Sequence, residues 1–301
     1  MKKTTDTLFP ALPEASSRRG IIVMLLSVVC FSINTFLLRY LIGEERGIGT
    51  AIPLLFRAMV GIVIVLCLFR GRRPTRIKPV FTDRLLILRG MVGLLGTAAY
   101  YWTVPRMGAG QATIICNTYV IFASVIAVLA LGEKLTTKRF LWLAVSFVGI
   151  VLLVGPDGTS NSMSFGLIEL VALLGAIMAA WAVVLVRRLV ADYSIGTIYL
   201  AQCVWIFVCL LFFAGPQVSG LGLSDLGLLT LAGTAAGFGQ LAMNEGYRCL
   251  TVSTGASLQM LWPVVTTIGG MLLFDERFVL LQLVGAILIL IAVWRVSAKR
   301  A

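Results

Sequence analysis

Histidine is absent from the 301 residues of this chain, and charged residues make up only 13% of it. Without imidazole there is no Ser-His-Asp triad, no histidine metal ligand and no histidine proton relay. A globular chain usually devotes about a quarter of its residues to Asp, Glu, Lys and Arg, so the ordinary water-facing surface cannot be assembled from this supply. The six cysteines, Cys30, Cys67, Cys116, Cys203, Cys209 and Cys249, are scattered, mostly inside apolar runs, and form no CxxC pair. They read as small buried hydrophobes, not as a disulfide or metal framework. No Walker A pattern occurs, so no ATP-driven step is expected. No Asn-x-Ser/Thr sequon occurs either, which favours a bacterial membrane protein over a glycosylated one. Neither a cofactor nor a metal is expected.

What the chain has in abundance is apolar sequence, at 59% of residues and a mean hydropathy of +0.99. A membrane-spanning helix needs about 20 mostly apolar residues. That ruler gives ten candidate spans: 20–42, 50–70, 84–104, 109–131, 138–155, 165–187, 194–214, 225–245, 253–274 and 278–296. Loop chemistry separates them, with Arg72-Arg73-Pro74 and Lys78-Pro79, Gly155-Pro156-Asp157-Gly158, Gly215-Pro216 and the short Asp275-Glu276-Arg277. Residues 1–19 are polar and show no short apolar core or cleavage site, so no removed signal peptide is expected and the first run stays a helix.

The net charge of +12 is not a nucleic-acid signature, because the basic residues lie in short loops between apolar runs and form no stripe. Their placement orients the spans instead. With the N-terminus in the cytoplasm, ten spans return the C-terminus there. Nineteen of the 25 Lys and Arg then fall inside, against three outside (Arg46, Arg106, Arg277) and three within spans (Arg39, Arg57, Arg89). The expected localisation is a bacterial cytoplasmic membrane, with both termini cytoplasmic.

The two halves resemble each other. Leu85–Gly96 aligns with Leu228–Gly239 at a constant offset of 143, and the same offset carries Ala99 onto Ala242 and Glu133 onto Glu276. Five spans per unit is odd, so the second unit starts on the opposite side of the bilayer. Inverted repeats of this kind build many secondary transporters, with the site between the halves near the midplane. The expected fold is an all-α integral membrane protein of ten transmembrane helices in two inverted-topology five-helix repeats. A cytoplasmic tail of 1–19 precedes the repeats at 20–155 and 165–296, and a short tail of 297–301 follows.

Several stretches then resemble a known family. Tyr100-Tyr101, Gly110-Gln111-Ala112, Tyr119-Val120-Ile121-Phe122 and Leu131-Gly132-Glu133-Lys134-Leu135 look like the first half of an EamA-type protein. Tyr247, Thr254-Gly255-Ala256-Ser257-Leu258, Trp262-Pro263-Val264, Asp275-Glu276-Arg277-Phe278 and Gln282–Ile287 look like the second. Over roughly residues 20–296 the chain thus resembles the drug/metabolite transporter superfamily. The resemblance implies alternating access and a central cavity walled mainly by the first, third, fourth, sixth, eighth and ninth spans. Where the family often has a proline early in the fourth span, Tyr119-Val120 stands, so no proline kink is implied there. Pro263 keeps its place in the ninth.

Polar side chains in a span should face the bundle or a wet cavity. Asn34 shares a face with Ser27 and Phe31. Thr97 and Tyr101 are four apart in the third span, and their repeat mates Gln240 and Asn244 are four apart in the eighth, so each pair lies on one helix face. Asn117, Gln259 and Trp262 complete a ring of donors, acceptors and aromatic faces, supported by Trp181. This ring is the expected substrate lining. The alternative is interhelical hydrogen bonding, worth roughly 0.6 kcal/mol per residue, with no substrate involved.

Arg57 lies deep in the second span. It could meet an anionic substrate group or bind backbone carbonyls at a kink beside Pro53, and the family resemblance favours the second. Glu169 and Glu245 are the carboxylates within spans, each a candidate protonation site, with Arg248 or Arg89 available to Glu245. The glycines of the third and eighth spans (Gly90, Gly93, Gly96; Gly233, Gly237, Gly239) should let neighbouring helices approach closely.

The function expected is secondary transport of a small organic metabolite such as an amino acid, nucleobase or vitamin. The lack of mid-membrane carboxylates favours an exporter or exchanger over a proton-driven importer. The expected partners are that small molecule and the lipid bilayer, with no nucleic acid and a homodimer left open. The alternatives are an intramembrane enzyme acting on a lipid-linked substrate, which needs a clustered nucleophile and base the sequence lacks, and a non-transporting scaffold.

Overall fold

A computed structural model of the chain describes residues 16–42, 46–69, 75–107, 112, 115–131, 136–154, 167–274 and 280–298. The helices are α1 (Ser16–Ile42), α2 (Ala51–Leu68), the short α3 (Lys78–Thr82), α4 (Arg84–Met107), α5 (Tyr119–Leu131), α6 (Thr137–Val154), α7 (Leu167–Leu189), α8 (Ile195–Ala214), α9 (Leu223–Cys249), α10 (Val252–Gln259), α11 (Leu261–Phe274) and α12 (Leu280–Ala298). No strand occurs among the described residues. Six of these helices are long and apolar enough to cross a membrane, and shorter apolar stretches cover 115–130 and 140–149. Leu129, Leu174, Phe212, Phe213 and Leu272 stand exposed on the outside of the bundle, a surface that lipid would cover at no cost. The chain is a multi-pass membrane protein.

Differences from the sequence reading are local. The 253–274 span is two helices, α10 and α11, that meet at Met260. Pro263 has no N–H to return to the Gln259 carbonyl, so the helix cannot run through. The matching place in the first half is interrupted as well, at Thr118, with no proline. There the Thr118 hydroxyl donates to the Ile115 carbonyl at 2.6 Å, and its own N–H reaches the same oxygen at 3.2 Å. Gly215-Pro216 opens a 3-10 turn, Gly215–Gly220, and Lys78-Pro79 a short helix. The loops at Arg72-Arg73-Pro74, Gly155–Gly158 and Asp275–Arg277, the Gly110-Gln111 pair and the Glu133/Glu276 correspondence lie outside the described residues.

Packing follows a reciprocal scheme. α1 packs on α9 as α7 packs on α4; α2 packs on α9 as α8 packs on α4; α5 packs on α7 as α10 and α11 pack on α1. α2 meets its own counterpart α8, and α6 meets α12. This is the contact pattern of two related units about an internal two-fold.

Matched glycines make matched contacts. A Cβ on Gly96 of α4 would lie 3.0 Å from the Ala179 backbone in α7, while one on Gly239 of α9 would meet Phe31 of α1 at 3.0 Å. Gly90 presses on the Ala201 carbonyl of α8, and its mate Gly233 presses on the Phe56 carbonyl of α2. A missing side chain at these positions is what lets the helix axes close.

One end of the bundle is heavily tied. Glu245 pairs with Arg19 at 3.0 Å and with Arg248. Arg187 donates to the Tyr247 and Arg248 carbonyls at the end of α9, where a cation also meets the negative pole of the helix. Tyr193 donates to Asp83 Oδ2 at 2.7 Å. At the other end, Arg46 pairs with Asp225 and donates to Ser224 at 3.1 Å.

Candidate functional site

A recess of about 780 Å³, its open mouth included, lies between the two units. α1, α2, α4, α5, α7, α8, α9, α10 and α11 all contribute to its wall, so neither half could form it alone. Two hydrogen-bonded chains organise its polar side, and each runs from one unit to the other.

In the first chain, Arg57 of α2 donates through Nη2 to Gln240 Oε1 at 2.9 Å, and Gln240 Nε2 passes a hydrogen bond to Asn244 Oδ1 at 3.2 Å. In the second, Arg89 of α4 donates through Nη2 to Gln202 Oε1 at 3.2 Å. Gln202 Nε2 then reaches the Thr97 hydroxyl at 3.0 Å and the Gly93 carbonyl at 3.2 Å. Gln240 and Thr97 are repeat mates, so the same junction appears on both sides of the internal two-fold. In each chain a glutamine oxygen takes a guanidinium N–H and the glutamine amide faces the other way.

The remaining wall is aromatic. Trp262 stands 6.0 Å from Phe31 and 5.6 Å from Tyr100, centroid to centroid, and Tyr100 meets Tyr101 at 6.3 Å. Arg57 lies 5.9 Å from the Phe31 ring centroid, a cation–π distance. Gln259, the last residue of α10, donates to Ser27 at 3.0 Å and to Met24 Sδ at 2.9 Å, anchoring the helix break against α1. Such interrupted helices free backbone groups beside a cavity instead of beside lipid.

Of the expected ring, Asn34, Thr97, Tyr101, Gln240, Gln259 and Trp262 line the recess, and so does Arg57. Asn117 and Asn244 are fully buried just behind it, Asn244 as the far partner of Gln240. Trp181 stands on the outer face of α7, 39% exposed. Its neighbours Ala182 and Val183 take the cavity side, and one residue turns a helix by about 100°. Glu245 does not reach the recess: it is held at the tied end by Arg19 and Arg248, and Arg89 is not its partner. The side chain of Glu169 lies outside the described residues. Arg57 corrects its own expectation, because its hydrogen bond goes to a side chain across the interface and not to carbonyls beside Pro53.

From the sequence, Arg89 is expected only as a candidate partner of Glu245, and Gln202 is given no role. The signal for both was present, since each is a polar residue inside an apolar span, which lipid does not tolerate without a partner. Their place in the recess was not legible because Arg89 sits near a span end, where an arginine can snorkel, and because Gln202 has no polar mate at the repeat offset.

Comparison with known proteins agrees with the fold. Residues 18–155 and 166–298 each match the EamA-like transporter family. The pseudopaline exporter CntI of Pseudomonas aeruginosa is 24% identical over 280 residues, spanning 91% of this chain and 94% of that protein. The S-adenosylmethionine uptake transporter of Rickettsia prowazekii is 21% identical over 257 residues, 85% of each chain. A solved crystal structure superposes with a TM-score of 0.67 at 18% identity, covering 93% of this chain and 95% of its own, which is a likeness of fold.

Proposed function

The chain belongs to the EamA-like transporter family, and from that premise we propose that it is a secondary carrier moving a small organic metabolite by alternating access. The observation that supports this most directly is the recess between the two units, walled by both and crossed by the two arginine–glutamine chains. Rocking one unit against the other around such a site would expose it to each side in turn. Export or exchange is the favoured direction, because the described carboxylates lie at helix ends and none of them lines the recess. The relatives include both an exporter and an uptake transporter, so direction rests on that argument and not on kinship. The basic, tied end of the bundle is read as cytoplasmic, which puts both termini inside a bacterial inner membrane.

Asn34, Thr97, Tyr101, Gln240, Gln259 and Trp262 are read as the substrate lining, with Asn117 and Asn244 holding it from behind. The test is counterflow. Purified protein in liposomes preloaded with amino acids, nucleobases or vitamins should exchange at least one of them. Gln259→Ala should cut that rate about tenfold, since it frees the helix break from Ser27 and Met24 and removes a lining group. Equal flux from empty and protein-bearing liposomes across the panel would leave only a scaffold.

A further inference from the structure

Arg57 and Arg89 are 6% and 1% exposed, and they are the buried basic side chains among the described residues. Both line the same recess. No carboxylate among the described residues meets either one. Asp83 is taken by Tyr193 and the first amides of α4, Asp225 by Arg46, and Glu245 by Arg19 and Arg248. Among the described residues the two guanidinium groups are met by two glutamine oxygens and, beside Arg57, by the face of the Phe31 ring. Arg57 Nε and both Nε and Nη1 of Arg89 are buried without a hydrogen-bond partner.

A charge held this way opposes folding, because removing a guanidinium from water is repaid only by a well-placed counter-ion. The chain itself shows the easier solution: at the repeat mate of Arg89 it has Ala232, equally buried in an apolar cluster. The cation on α4 is therefore not demanded by the packing of the fold. Its surroundings also keep space for its head, since a Cβ on Gly93 would lie 2.3 Å from Arg89 Nη1.

We propose that Arg57 and Arg89 bind the carboxylate of the transported molecule, so that the substrates are small organic acids whose apolar or aromatic body rests on Phe31, Tyr100 and Trp262. This rests on the carrier reading above and narrows it to one substrate class. A carboxylate offers about four acceptor sites, enough for the three free guanidinium nitrogens, and planar charge-assisted bonds of this kind are the strong ones. The glutamines then act as positioning residues. Each holds one N–H of its arginine and leaves Arg57 Nε and Arg89 Nε and Nη1 without a protein partner.

The full chain, purified in detergent, is melted with phenylacetate, succinate or L-phenylalanine, with their amides phenylacetamide, succinamide and L-phenylalaninamide, and with inorganic phosphate. At least one acid should raise the melting temperature while its amide does not. Arg89→Gln should weaken that acid roughly ten- to a hundredfold, as loss of hydrogen bonds to a charged group does, and Arg89→Lys should fall between. Gly93→Ala, which keeps the charge but crowds it, should also weaken binding. Without ligand, Arg89→Gln should melt at or above the unaltered chain.

Amides that stabilise as well as acids, no shift from any acid, or a shift from phosphate alone would overturn the proposal. So would an Arg89→Gln chain that melts far below the parent, because the charge would then belong to folding. Counterflow separates this from the carrier reading. Acid binding without exchange sinks the carrier and leaves the anion site, whereas exchange of neutral solutes untouched by Arg89→Gln does the reverse.

Discussion

Helices α4 and α9 hold matching places in the two units, and they treat the same position in opposite ways. α4 carries Arg89, whose charged head lines the recess beside Gln202, and α9 carries Ala232, packed among Leu41, Leu55, Phe56 and Leu229. Two turns on, the roles are exchanged: Thr97 on α4 is short and needs Gln202 to reach it, while Gln240 on α9 is long and reaches Arg57 itself. The backbone scheme of the two units is shared, and the polar chemistry is not. A duplicated fold can thus keep its packing symmetric, which both units need, while its binding surface becomes one-sided.

The sharpest way to break that contrast is to copy the charge across. Ala232→Arg would set a guanidinium into an apolar cluster with no glutamine waiting. A central arginine costs about 2.5–3.5 kcal/mol on membrane-insertion scales, and steric crowding against Phe56 adds to this. The expected outcome is loss of folded material, or a melting temperature many degrees lower, in fluorescence-detected size-exclusion chromatography. If the variant melts with the parent, the site near Ala232 is wet, and the asymmetry between the helices is not one of solvation.

How much of this could be read from sequence follows from the same physics. Span positions were legible because hydropathy over about 20 residues is a strong signal: the expected 194–214 and 165–187 spans are Ile195–Ala214 and Leu167–Leu189. The internal repeat was legible through Gly90 and Gly96, since close helix contacts leave small residues at fixed spacing. Helix breaks were not. Pro263 announces the one at Met260, but the break at Thr118 comes from a hydroxyl that bonds back to Ile115, and threonine does this in many unbroken helices. Nor could spacing say which polar residues meet. That Gln202 answers Arg89, and that Trp181 turns outward, depends on how α4, α7 and α8 are rotated against one another.

A smaller intervention compares the matched glycines. A methyl on Gly90 would fall 2.8 Å from the Ala201 carbonyl and 2.3 Å from the Trp205 ring, whereas one on Gly233 would stand 3.1 Å from the Phe56 carbonyl and 3.2 Å from Val60. Overpacking costs about 1–3 kcal/mol, and Gly90→Ala should lie toward the upper end of that range with Gly233→Ala toward the lower. Melting of the two variants side by side gives the order. Equal losses would mean that α4 and α8 separate as easily as α9 and α2, so that the interface bearing Arg89 and Gln202 is no tighter than its mate.

The mildest test lies at the tied end, where the first unit meets the second through Asp83 and Tyr193. The Tyr193 hydroxyl, with help from the Leu85 and Leu86 amides at the start of α4, holds the Asp83 carboxyl below its ordinary value against a smaller opposing effect of burial. A carboxylate with a depressed value stabilises the fold above its unfolded pKa of about 4 and loses that contribution as pH falls through the depressed one. Tyr193→Phe should therefore lower the melting temperature slightly at pH 7, and the gap to the parent should close as pH drops below about 4. Because the pair is partly exposed, screening keeps the effect small, under about 1 kcal/mol. A gap that stayed constant from pH 7 to pH 3 would assign the loss to the hydroxyl irrespective of the charge on Asp83, and not to a charge-assisted bond. The contact would then hold the two units together at this end without the aspartate's charge.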